Sequence, residues 1–290
     1  MSEQASTAQV TGSYALGLAL ITGAAVAWST AGLFTRMIDI DIGTMLFWRG
    51  VFGAVGVFAV ALALHGRRAL RDIAHLGAPG WAFAIISALG MLCFITGLRL
   101  TTVAHVAIVY ATVPLVAAVL AWVLLAERPA RSAFVASLVA LAGVVVMVGM
   151  GGDGNLMGDL LAFGMTLALA MLMVISRRWQ GIPVLSAAAV SALLSGLAAL
   201  PFTPGLMVSP EDFVMLAAFG LINSALGLAL FALGARMLPA VETALITALD
   251  APLAPIWVWL IFAETPSTTT LTGGAVVLTA VMWHLWQQAR

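Results

Sequence analysis

The sequence predicts an all-α integral membrane protein with ten transmembrane helices arranged as two inverted five-helix repeats. Three observations predict it. The 290 residues are 63% hydrophobic and only 8% charged, with a mean hydropathy of +1.12, too apolar for a water-soluble fold. Ten apolar runs of membrane-spanning length follow one another with little chain between them, at about 20 residues per crossing. The second half of the chain also repeats the first.

Read in order, the apolar runs lie near 16–37, 42–64, 81–99, 103–125, 133–150, 158–178, 184–203, 213–234, 240–262 and 270–287. Residues 1–13 (MSEQASTAQVTGS) are small and polar, so 1–14 is expected to be a disordered cytoplasmic tail. Ala25 to Ala27 resembles a cleavage site, but no basic residue precedes the first run, which is therefore kept as a helix rather than a signal peptide. The longest polar interruption is His65 to Gly80, carrying Arg67, Arg68, Arg71 and Asp72. Breaks at Pro and Gly separate the remaining runs.

All twelve basic residues are arginine. Without lysine there is no Walker-type phosphate loop and no Schiff-base chemistry. The lone Cys93 allows no internal disulfide and no cysteine metal cluster. No HExxH, GxGD or DDxxD-like cluster is present and acids within the runs are scarce, so the sequence argues against an intramembrane enzyme. It calls for no cofactor. Zero net charge gives no reason to expect nucleic acid. With the N-terminus inside, Arg67, Arg68, Arg71, Arg128, Arg131, Arg177, Arg178, Arg236 and Arg290 all fall on the inner side, against Arg36 and Arg99 outside. That tally predicts a multi-pass protein of the cell's inner (plasma) membrane with both termini cytoplasmic.

The repeat is visible at an offset of 137. Ser87-Ala88-Leu89-Gly90 matches Ser224-Ala225-Leu226-Gly227, and Phe94, Gly97, Arg99, Trp122, Glu127 and Pro129 match Phe231, Gly234, Arg236, Trp259, Glu264 and Pro266. Positions 87–129 hold 14 identities in 43. An offset of 141 pairs Gly17, Gly23 and Arg36 with Gly158, Gly164 and Arg177, which divides the chain into repeats at 15–150 and 151–290. A unit with an odd number of crossings, repeated in tandem, enters from the opposite side. The halves are then related by a pseudo-twofold axis in the membrane plane, the plan of many secondary transporters.

The Phe47-Trp48-Arg49 segment, Ala117 to Pro129 (AAVLAWVLLAERP) and Ala254 to Pro266 (APIWVWLIFAETP) resemble EamA-type members of the drug/metabolite transporter superfamily. The resemblance spans residues 15–287. It implies ten helices around a central cavity, the third, fourth, eighth and ninth helices as gates, and export of small metabolites or drugs; the aromatic amino-acid exporter branch is one candidate. Residues 14–35 contain no acid, unlike the first helix of the small multidrug members.

Candidate substrate or cavity residues are Trp28, Tyr110, Asn223, Asp250 and Arg49. Asp250 lies near the middle of the ninth run, where a carboxylate is costly and should face the bundle interior, as a substrate-ammonium or proton site or as an interhelical hydrogen-bonding residue. Pro252 and Pro255 beside it remove backbone donors and can mark a kink. Arg49 could grip a carboxylate or make a structural pair or headgroup contact. Trp28 and Tyr110 could stack on a substrate or simply pack, and Asn223 could orient a polar end. His105 and Glu242, paired at offset 137 at opposite mouths, are gating candidates or ordinary polar helix ends. The expected partners are a small-molecule substrate and the lipid bilayer. A monomer is compatible with the sequence, which leaves the oligomeric state open. An exporter of amino acids or similar amphipathic metabolites leads; a multidrug exporter, a channel and a lipid flippase remain alternatives.

Overall fold

A computed structural model describes the backbone at residues 2–101, 103–148, 155–263 and 267–288. Side chains are described for the same residues except 2–13, 36, 95, 98, 99, 103–105, 147, 148, 258 and 288. The described residues form helices and connecting turns, with no strand among them.

The first run begins earlier than expected. Helix α1 (Ser2–Ser29) includes residues 2–13, where disorder was expected. Extending an established helix needs no new nucleus, and Ala and Gln favour it. At its other end, Ser29 Oγ and Thr30 Oγ1 each donate to a carbonyl three residues back at 2.6 Å, competing with the backbone ladder. The chain turns there into α2 (Ala31–Met37). Asp41 caps α3 (Ile42–His65) by accepting from the Gly43 and Thr44 amides at 2.7 and 3.3 Å. The polar interruption forms a short helix, α4 (Arg68–Ala74), before α5 (Gly77–Leu100).

Next come α6 (Val103–Tyr110), α7 (Val113–Leu125) and α8 (Arg131–Val148). Asn155 then caps α9 (Leu156–Arg178), which ends on Arg177 and Arg178, favourable at a helix C-terminus. Helix α10 (Val184–Ala199) precedes α11 (Pro210–Phe219), which is capped by Ser209. Residues Gly220–Leu226 widen into a π turn before α12 (Gly227–Gly234). The chain ends with α13 (Ala240–Thr247), α14 (Asp250–Phe262) and α15 (Thr268–Gln288).

Eight helical stretches among the described residues are long and apolar enough to cross a membrane: Tyr14–Thr35, Ile42–His65, Gly77–Phe94, Val106–Leu125, Leu156–Arg178, Val184–Phe202, Pro210–Gly234 and Ala240–Phe262. The two other expected runs fall on α8 and α15. Helix α8 is apolar but shorter over its described stretch, and α15 opens on three threonines. These two helices pack along each other.

Packing follows the internal repeat. The α1–α12 and α5–α9 contacts are repeat equivalents with partners exchanged. Gly17 abuts Met237 and Leu238, while its counterpart Gly158 abuts Leu100 and Thr101. Gly23 abuts Leu230 and Gly164 abuts Cys93; Gly234 abuts Leu20 and Ile21, and Gly97 approaches Leu161 and Ala162. An exchange of this kind, i with j′ and i′ with j, is what a two-fold relation produces. Both α7 and α14 end on an alanine in the left-handed region, Ala126 and Ala263, 137 residues apart. The largest buried side chains, including Ile21, Phe83, Met173, Leu185 and Phe231, join the halves in one core.

A candidate substrate site at two helix breaks

Two of the predicted spans are each interrupted at the same repeat position. Between α6 and α7 the Thr112 amide donates to the Val109 carbonyl at 3.1 Å, three residues back rather than four. Between α13 and α14 the Leu249 amide does the same to Ile246 at 3.1 Å. Residues 109–112 and 246–249 are related by the 137 offset. Chemistry local to each break explains it. Pro114 offers no N–H to the Tyr110 carbonyl, and Pro252 offers none to the Ala248 carbonyl. Hydroxyls compete with the ladder on the N-terminal side: Thr112 Oγ1 donates to Val109 O at 2.6 Å, and Thr247 Oγ1 to Thr243 O.

Tyr110 and Asp250 meet at these breaks. Tyr110 ends α6, Asp250 opens α14, and the tyrosine hydroxyl donates to Asp250 Oδ2 at 3.5 Å, the outer limit of a hydrogen bond. Asp250 Oδ1 is shut off from solvent and has no hydrogen-bond partner.

A second cluster surrounds Asn223, which the π turn rotates into the interface of α1, α3 and α12. The buried amide donates from Nδ2 to the carbonyls of Ala27 and Trp28, both at 3.1 Å. Its Oδ1 accepts from Arg49 Nη1 at 3.1 Å. With two carbonyl acceptors on one side and a guanidinium on the other, the network fixes the amide's orientation. Arg49 Nη2 reaches Met91 Sδ at 3.1 Å, and the guanidinium lies 5.5 Å from the centre of the Phe219 ring. Arg49 Nε is buried without a partner, and no carboxylate pairs with this arginine among the described residues. Trp28 packs rather than standing free: its ring covers Gly227, where an added side-chain carbon would lie 2.5 Å from Nε1, and it tilts against Phe231 at 5.2 Å.

The two clusters connect through the end of α1. Ser29 follows the carbonyls that hold Asn223, and Trp257 Nε1 donates to Ser29 Oγ at 2.7 Å from a position two turns beyond Asp250 on α14. Glu242, at the start of α13, is buried and accepts from Tyr14 Oη at 2.9 Å. The His105 side chain lies outside the described residues. Sequence reasoning did not single out Met91, Ser29, Trp257, Tyr14 or His284 among the contacts of these sites. A histidine within the last apolar run was the one available signal for His284.

The profile of the EamA-like transporter family matches residues 15–149 and 156–286. Comparison with curated proteins finds no match. The crystal structure of another protein superposes with a TM-score of 0.81 at 19% sequence identity, covering 96% of this chain and 99% of that one, a likeness that shows a shared fold. With two family-matching segments that together span nearly the whole chain, this multi-span membrane protein belongs to the EamA-like transporter family, within the drug/metabolite transporter superfamily.

Proposed function

We propose that the protein is a secondary transporter that exports small amphipathic metabolites by alternating access, with amino acids, aromatic and hydrophobic ones included, as its substrates. The reading takes the chain as a member of the aromatic amino-acid exporter branch of its superfamily. The observation that carries the reading is the pair of repeat-equivalent helix breaks with Tyr110 and Asp250 between them. Discontinuous helices at the repeat interface are where secondary transporters hold their substrates, because frayed backbone and polar side chains are tolerated there only if they line a cavity.

Two buried groups of opposite charge, each lacking a counter-charge among the described residues, suit a zwitterion. Asp250 with Tyr110 receives the ammonium, and Arg49, held by Asn223, receives the carboxylate. Trp28, packed on Gly227 and Phe231, backs the site as part of its apolar surround. Glu242 and His105 serve as gates at opposite mouths.

In this reading α8 and α15 also cross, giving ten spans in two inverted repeats at 15–150 and 151–290. The exchanged contacts support a two-fold relation, and five crossings per unit put its axis in the membrane plane. Tyr14 at the start of the first span and His284 near the end of α15 both approach Glu242, which supports an even number of crossings. The arginine tally supports cytoplasmic termini, and the plasma membrane is the proposed location. Counterflow in liposomes with a panel of amino acids tests the proposal. Saturable, trans-stimulated exchange supports it; exchange confined to cationic drugs points to a multidrug exporter, and non-saturating flux to a channel or flippase.

A further inference from the structure

The end of the bundle where the first span begins and the last helix finishes holds a cluster of three ionisable side chains. Tyr14 on α1 donates to Glu242 Oε2 at 2.9 Å, a bond that crosses from the first repeat to the second. His284 on α15 lies on the other side of the same carboxylate, Nε2 3.9 Å from Oε1, too far for a hydrogen bond. The histidine ring is fully buried and neither nitrogen has a hydrogen-bond partner. Buried ring nitrogens are normally satisfied, so an empty pair beside a carboxylate needs an explanation.

The surroundings offer few competitors. Helix α13 packs against α1, α7, α8, α9 and α15. Among the described side chains, α1 brings Tyr14 alone and α15 His284 alone, α7 has no titratable group, and α8 has only Arg131 at its exposed start. Asp159 lies at the far end of α9; at the near end, Arg178 is exposed and Arg177, which pairs with Glu127 at 3.4 Å, also attracts the Glu242 carboxylate. Arg236, in the turn before α13, accepts from Gln180 Nε2 through its carbonyl at 3.3 Å. At the opposite end, the repeat counterpart of Tyr14 is Asn155, whose side chain is committed to capping α9.

We propose that Tyr14, Glu242 and His284 form a proton-binding latch on the mouth at this end of the bundle. With His284 neutral, the Tyr14–Glu242 hydrogen bond ties α1 to α13 across the repeat boundary and holds the mouth shut. One proton taken from solution onto His284 draws Glu242 into an imidazolium–carboxylate pair within the second repeat. The Tyr14–Glu242 bond is given up, and α1 is released; loss of the proton to solution resets the latch. Imidazole is the side chain suited to such a switch, because its charge ordinarily changes between pH 5 and 8. This inference rests on the reading of Glu242 as a gate.

The test uses the full chain in lipid nanodiscs with Cys93→Ser and Met237→Cys, the latter in the turn that faces Gly17 of α1. Labelling by a polar maleimide is compared between this protein and the same protein carrying His284→Gln, at equal pH, so that thiol ionisation cancels. Labelling at pH 5.5 should be at least fivefold faster with His284 than with glutamine, and the two should agree at pH 8. Tyr14→Phe should label fast at both values and stay folded, since it removes only a hydroxyl. Identical pH curves with and without His284, or slow labelling of Tyr14→Phe, would overturn the latch. Labelling needs no substrate, so this outcome is independent of whether the protein exchanges amino acids.

Discussion

Replacing Asp250 by asparagine removes one charge from the junction of α13 and α14 and leaves the shape almost unchanged. The structural cost is small, because the Tyr110 bond at 3.5 Å is already at its limit and Oδ1 has no partner to lose. Binding should respond much more strongly. A hydrogen bond between a charged group and its partner contributes about 1.5–3 kcal/mol, so losing the carboxylate that meets a substrate ammonium should weaken affinity roughly 10- to 150-fold. Stability should not fall, since a buried carboxylate with an unsatisfied oxygen is a liability in the unliganded protein. Equilibrium binding of a radiolabelled amino acid to purified Asp250→Asn, beside thermal unfolding in the same detergent, measures both quantities. Unchanged affinity across the pH range would remove Asp250 from the site. Weakened affinity with a melting temperature lowered by several degrees would make its role structural.

Arg49→Gln should weaken amino-acid binding by a similar factor while leaving binding of the corresponding decarboxylated amine nearly unchanged; equal losses for both ligands in the binding assay would assign Arg49 to packing. At Gly50 a side-chain carbon would lie 2.5 Å from Gly196 Cα and 2.8 Å from the Ala192 carbonyl oxygen, both backbone atoms of α10. Gly50→Val must therefore push α3 and α10 apart at a cost of about 1–3 kcal/mol or more, read as a lower melting temperature in detergent. An unchanged melting temperature would deny that close contact. Pro114→Ala restores an N–H opposite the Tyr110 carbonyl; because Pro114 sits in the first turn of α7, where proline is tolerated, the melting temperature should change little. The variant should exchange substrate more slowly because the α6–α7 joint stiffens; undiminished exchange would show that the break is not used in transport.

The sequence displays some parts of this molecule openly and hides others. Composition and run lengths place most of the helices, the first excepted, within a few residues, because a hydrocarbon solvent leaves few alternatives for an apolar chain. The self-matches at 141 and 137 relate Gly17 to Gly158 and Thr101 to Leu238, positions that the fold brings together as Gly17 on Leu238 and Gly158 on Thr101. Arg49, Asn223, Tyr110 and Asp250 all stand out as polar groups within apolar runs, yet their pairing as Arg49–Asn223 and Tyr110–Asp250 does not. Helices that are apolar all round carry almost no record of which face meets lipid and which meets protein. For the same reason Trp28, which could have lined a pocket, is found packed on Gly227 and Phe231. The breaks depend on combinations, Thr112 with Pro114 and Thr247 with Pro252, whose effect is set by which carbonyls remain free. The π turn that delivers Asn223 and the left-handed Ala126 and Ala263 have no residue signature; glycine would have announced the last two.

Counterflow in proteoliposomes loaded with unlabelled amino acid tests the central claim most directly, namely that a zwitterion binds between the helix breaks at Tyr110 and Asp250 and Arg49 of α3 and is carried by alternating access. The account predicts saturable uptake of labelled amino acid that is accelerated by amino acid on the far side and lost together in Asp250→Asn and Arg49→Gln. Folded wild-type protein that exchanges no amino acid, or flux that rises linearly with concentration and ignores the far side, would contradict it.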